Sequence, residues 1–118
     1  MEKLSKAIIS SWDKRFPDWK IKCPDVEKQL NYFTAEFRKY YSEKEISNNE
    51  LDNTIFNESL GIFGPSKINL FYQESQLNLQ NNITIIDSFK LYASGKELKP
   101  KHLIENYFYN IMALSLNG

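Results

Sequence analysis

Between residues 26 and 40 the apolar side chains Val26, Leu30, Phe33, Phe37 and Tyr40 recur at steps of four, three, four and three. That spacing keeps one face of an α-helix in register over four turns, and a strand, whose side chains alternate between faces, cannot bury all five together. The other face carries Glu27, Lys28, Asn31, Glu36, Arg38 and Lys39. The segment is therefore an amphipathic helix that must find an apolar partner for one side. Pro24 suits its first turn and Asp25 places negative charge at the positive end of the helix dipole. The helix is predicted to run to about Ser42.

The rest of the chain points the same way. One valine, three threonines, four glycines and four prolines in 118 residues leave few strand formers and few turn signals. Leu4, Ile8, Trp12 and Phe16 recur every four residues and predict a first helix ended by Pro17, with 16–25 as a connector. Ser47 followed three residues later by Glu50 is a capping-box pattern, and Ile46 and Leu51 stand where a hydrophobic staple closes. Leu51, Ile55 and Ile62, flanked by Phe56, Leu60 and Phe63, give that helix its apolar side. Gly61 and Gly64, which tolerate left-handed geometry, and Pro65, which cannot continue the helix, end it. A last helix starts at Pro100, with Leu103, Tyr107, Ile111 and Leu114 aligned and Ile104, Phe108 and Met112 beside them.

Residues 66–94 support two periods. Ile68, Leu70 and Tyr72 alternate, as do Leu77 and Leu79, whereas Ile85, Phe89 and Tyr92 follow helical steps with Thr84 as N-cap and Gly95 as stop. Helices are favoured. The expected fold is a mostly all-α, compact bundle of about five helices forming a single domain over 1–118. The alternative is an α+β fold with a small antiparallel sheet from residues 66–94. A chain of this length buries roughly two-thirds of its unfolded surface and needs no staples.

Fifteen basic and fifteen acidic side chains cancel, which argues against a general nucleic-acid binder or a polybasic membrane-surface protein. No stretch is long and apolar enough to read as a signal-peptide core or a membrane span. The single cysteine, Cys23, cannot form an intramolecular disulfide, and the chain is expected in a reducing cytoplasm. The charge is nevertheless uneven. Residues 42–61 hold five acids against one lysine, and residues 90–102 hold four lysines against one glutamate.

No catalytic, metal or nucleotide motif emerges, and no cofactor or metal is expected. His102 has no nucleophile in a recognised order, and one His with one Cys cannot supply the usual zinc ligands. In "GIFGPSK" Pro65 removes an amide donor and Ser66 precedes Lys67, the reverse of a phosphate loop. Lys90, Lys96, Lys99, Lys101 and His102 form a basic stretch with little aromatic support, a weak nucleic-acid signal. The acidic segment is more informative. Glu50 and Asp52 belong to a helix first turn, where the dipole favours them, but Glu43, Glu45 and Glu58 have no capping role, and Tyr40 and Tyr41 precede them. Tyrosine beside carboxylates is a recognition surface. Tyr40, Tyr41, Glu43, Glu45, Glu50, Asp52 and Glu58 are accordingly the expected partner-binding residues.

These features predict a non-enzymatic protein-binding module that docks on and neutralises a basic protein, such as a toxin nuclease. In general character (small size, many aromatics, an acidic patch) the chain resembles bacterial immunity proteins and phage-encoded inhibitors of host systems, a likeness of composition without a shared motif. The alternative is a small nucleic-acid-associated or regulatory protein using the basic stretch. The aromatic content, eight Phe, seven Tyr and two Trp, would also suit a homodimer.

Overall fold

The computed structural model describes residues 3–117, and the side chains of residues 3–110. The chain forms α1 (Lys3–Arg15), α2 (Trp19–Lys22), α3 (Val26–Tyr40), α4 (Asn48–Ser59), α5 (Pro65–Gln80), α6 (Ile85–Ala93) and α7 (Pro100–Asn117), with no strand among the described residues. The mostly all-α expectation holds. The helix count exceeds about five chiefly because α2, a single turn, forms inside the 16–25 connector.

The helix of the 4-3-4-3 pattern is the hub. α3 packs against α1, α4, α5 and α6, and α7 closes the bundle against α4, α5 and α6. Val26, Leu30, Phe33 and Phe37 are all buried. The Phe33 ring lies 5.1–6.5 Å from the rings of Phe37, Phe63, Phe71, Phe89 and Phe108, mostly edge-on or tilted. Such geometries set the positive ring edge on a negative face, each pair adding about 0.5–1.5 kcal/mol beyond area burial. One side chain thus joins α3, the α4–α5 loop, α5, α6 and α7.

The sheet alternative for residues 66–94 is not realised: they form α5 and α6. α5 buries Ile68, Phe71 and Ser75 at steps of three and four while Leu77 and Leu79 stand exposed. The alternation of Leu77 and Leu79 reflected two solvent-facing leucines. Asn82, at φ +61°, ends α5 in a Schellman motif, with Ile83 N–H donating to Asn78 O at 2.9 Å and Asn82 N–H to Leu79 O at 3.0 Å.

The capping devices divide between two sites. Ser47 Oγ accepts from Glu50 N–H at 3.1 Å, as its spacing predicts. The full reciprocal box forms at Thr84, whose Oγ1 accepts from Asp87 N–H at 3.1 Å while Asp87 Oδ2 accepts from Thr84 N–H at 3.0 Å. Left-handed geometry occurs at Asn82, Ser94 and Gly95, not at Gly61 or Gly64. Gly64 allows a close approach instead: a Cβ there would lie 3.1 Å from the Phe16 ring, which would have to shift slightly to admit it. Phe16 itself is 40% exposed, having drifted off the α1 core stripe on which Ile8 and Trp12 are fully buried. The expected stripe positions Ile111, Met112 and Leu114 lie outside the described side chains.

Phe33→Ala should lower stability by about 3–5 kcal/mol, whereas Leu77→Ala should change it by less than about 0.5 kcal/mol; urea denaturation of both variants checks this. Thr84→Ala should cost about 1 kcal/mol, and hydrogen exchange should show the loss concentrated in the first turn of α6.

Candidate functional site

Two surface grooves are lined by three of the seven candidate residues, Tyr40 and Glu43 in one and Glu58 in the other. The first, about 650 Å³, opens where the α3–α4 connection meets the α6–α7 connection. Two contacts hold these connections together. Tyr41 Oη donates to Leu98 O at 2.9 Å, and Lys44 Nζ lies 2.8 Å from Glu97 Oε1. The Lys44 ammonium also sits 5.7 Å from the Tyr40 ring centroid, and the edge-on rings of Tyr41 and Phe89 flank Tyr40 at 4.9 and 5.6 Å. Glu97 raises the Lys44 pKa chiefly by hydrogen bonding, and Lys44 lowers that of Glu97 by the same bond.

The two tyrosines therefore have separate roles. Tyr41 is 1% exposed, and burial drives its phenol pKa well above the ordinary value. It is a core and loop-bracing residue, whereas Tyr40 keeps a partly open ring in the groove. Lys39, Lys90 and Lys96 line the same groove, with Glu43. The sequence-separated acidic and basic stretches thus meet, and Tyr40 stands among lysines as well as beside carboxylates.

The expected acidic set separates into three environments. Glu43, Glu45 and Glu50 are exposed along the α3–α4 connection and the first turn of α4. Asp52 is engaged: its Oδ1 accepts from Arg38 Nε at 3.0 Å and Nη2 at 2.6 Å, tying α4 to α3. Glu58, two turns further along α4 and about 12 Å from Glu50 in axial rise, is only 8% exposed.

Glu58 faces the second groove, about 410 Å³ between α4 and α7, lined by Thr54, Asn57, Lys101 and Glu105. Burial is the main cause that raises its carboxyl pKa. The Glu105 carboxylate raises it further by charge and by a side-chain hydrogen bond, while Lys101 and His102 oppose both. Lys101 Nζ lies 3.9 Å from Glu105 Oε1. Glu105 was not among the expected site residues. A signal for Glu58 was present, because it follows Leu51 and Ile55 at steps of four and three and so falls on the buried stripe of α4.

Other candidate chemistry finds little support. Cys23 is buried and desolvation raises its thiol pKa, which opposes thiolate formation. His102 is exposed. Among the described residues no group of three or more His, Cys, Asp or Glu side chains could hold a metal ion, and no helix is long and apolar enough to cross a membrane.

The raised Glu58 pKa fixes the sign of a pH dependence. The folded state binds the proton more tightly than the unfolded chain, so this residue's contribution falls as pH rises from the ordinary glutamate value, near 4.5, through the folded-state value. Glu58→Gln should flatten that fall, and its stability relative to wild type should increase from acidic to neutral pH, as urea denaturation across the range would show. Comparison with known proteins adds no analogy to this geometry: no family model, curated protein or solved structure matches the chain.

Proposed function

We propose that the chain is a non-enzymatic protein-binding module that docks on a basic partner surface, acting as a small inhibitor or immunity-type protein, for instance against a toxin nuclease. The observation that carries this reading is the exposed run Glu43, Glu45 and Glu50, with the partly open Tyr40 ring at one end. Exposed like charges of this kind speed encounter with an oppositely charged surface and set orientation, while an aromatic ring supplies contact area at low entropic cost. Asp52 and Tyr41, occupied with Arg38 and Leu98, support this surface from behind by fixing α4 and the loop. The single free cysteine, buried, suits work in a reducing cytoplasm.

A second reading, a small nucleic-acid-associated or regulatory protein, is favoured by one observation: Lys39, Lys44, Lys90 and Lys96 converge on the Tyr40 groove. It ranks lower. Glu43 and Glu97 share the groove, Lys44 is already paired with Glu97, and Lys39 and Lys90 occupy the last turns of α3 and α6, where the dipole itself favours cations.

The experiment is a tagged capture followed by binding measurements on the partner it identifies. Replacing Glu43, Glu45 and Glu50 together by lysine should slow association by about tenfold or more at low salt, with a smaller effect at high salt. Glu27→Lys, at the far end of α3, should change it little. An unchanged rate and salt dependence in the triple variant would remove the acidic run from the interface. DNA or RNA binding that weakens steeply with salt would favour the second reading.

A further inference from the structure

We propose that a second copy of the chain docks head to tail on the first, the basic α1–α2 end of one copy seated on the acidic start of α4 of the other. The inference rests on the protein-binding reading only in using the same exposed acids as a docking face. The basic end that fills it is a separate part of the surface.

That end is built by residues 13–22, where Lys14, Arg15, Lys20 and Lys22 stand against Asp13 and Asp18, a net +2. All four cations are exposed. Among them stands Ile21, 85% exposed, the most open large hydrophobic side chain among the described residues, with Phe16 40% exposed nearby in the chain. An aliphatic side chain left in water between two lysines contributes nothing to the isolated fold and gains by being covered. The turn that carries it is fixed in place. Trp19 is buried, its Nε1 donates to Asp13 Oδ1 at 2.8 Å, and Cys23 N–H donates to Trp19 O at 2.7 Å. Asp13 is thereby engaged, with Lys20 Nζ also 3.7 Å away, and α2 packs on α5. A knob formed in advance loses little freedom on binding.

The chain also carries the complement of this end. Residues 43–50 hold Glu43, Glu45 and Glu50 against Lys44, a net −2, equal and opposite to the basic end. The partly buried Tyr40 and Ile46 border these acids and offer Ile21 an apolar surface. Within one copy the two ends stand apart: one leads into α3 at Val26 and the other leaves it beyond Tyr40, with 15 residues and about 22 Å of helix between them. Contact between like ends would oppose cations to cations or carboxylates to carboxylates, so symmetric pairing is disfavoured and unlike ends meet. A lipid surface is the weaker fit, because an interfacial segment needs a broad apolar face and α2 presents one exposed aliphatic side chain. A head-to-tail contact leaves a free end on each outer copy, so the assembly extends as a chain or closes into a ring. The acidic run of a docked copy is then covered, and a basic partner must compete for it.

The test is sedimentation velocity of the whole chain over a range of concentrations, in about 20 mM and about 500 mM salt. The sedimentation coefficient should rise with concentration at low salt and return to the monomer value at high salt. Ile21→Ser, a change at an exposed position, should weaken the association by about tenfold. The double variant Arg15→Gln with Lys22→Gln, and the triple variant Glu43→Gln with Glu45→Gln and Glu50→Gln, should each stay monomeric alone. Mixed in equal amounts at low salt they should form a 1:1 complex that grows no further, since one retains only the acidic end and the other only the basic end. A wild-type chain that is monomeric at every concentration, self-association that survives undiminished in either variant, or absence of the mixed complex would overturn the proposal. A wild-type chain that stays monomeric and sediments with phosphatidylserine vesicles would overturn it too, giving the basic end to lipid. The double variant keeps its acidic end and should bind an external basic partner at least as fast as wild type. Failure of self-association and failure of the partner reading therefore fall in different variants.

Discussion

The position of the Phe33 ring is the constraint on which the rest of the bundle depends. It stands at the middle of the α3 stripe, and rings from α5, α6, α7 and the α4–α5 loop close on it from different directions. The contact network continues outward, through Phe63 stacked on Phe108 at 4.7 Å and Phe89 edge-on to Tyr107 at 5.3 Å. Aromatic rings are rigid and few rotamers fit each site, so a change in helix placement at one side is felt at the others. α1, outside this ring network, is held differently, by Ile8 and Trp12 and by the Trp12 bond to a carbonyl at the end of α4, where the helix has no internal donor left.

That framework decides which charges meet. α3 ends at Tyr40 and α6 at Ala93, and their packing brings two charged connections side by side. Tyr41 secures the junction because its hydroxyl has a carbonyl to bond once its ring is inside. Lys44 then pairs with Glu97 across the surface, and the acidic stretch loses part of its isolation. What remains open to a partner is narrower than residues 40–58: an exposed run at the start of α4, an aromatic ring among lysines, and a separate groove at the end of α4.

Local physics was the legible part of the sequence. The α3 spacing, the Ser47 and Thr84 caps, the Pro100 start and the Pro17 stop each depend on a few neighbouring residues, and each formed. Residues 66–94 were ambiguous because α5 is apolar on more than one side, so that Leu70 and Tyr72 are half-buried while Leu77 and Leu79 face solvent. Periodicity alone could not separate that pattern from a strand. Nor could local spacing separate Tyr40 from Tyr41 or Asp52 from Glu58, since the difference lies in distant partners: Leu98, Arg38 and Glu105. Counting acids along the chain treated as one patch what the fold distributes among solvent, an ion pair and a largely buried position on the α4 stripe.

Glu58 is where folding and function separate most clearly. An apolar residue at this point of the α4 stripe would continue Leu51 and Ile55 and remove a desolvation penalty, and replacing buried charge by well-packed apolar groups is often neutral or stabilising. Asp52 shows that this fold can satisfy an acid on the same helix with an arginine. Glu58 instead shares the α4–α7 groove with Glu105, and Lys101, 3.9 Å from Glu105, offsets the charge of both. Departures from local consistency of this kind are expected at functional or strained sites. Burial first and the Glu105 charge second raise the Glu58 carboxyl pKa, a cost of ionisation that an apolar residue at the same point of the stripe would not carry.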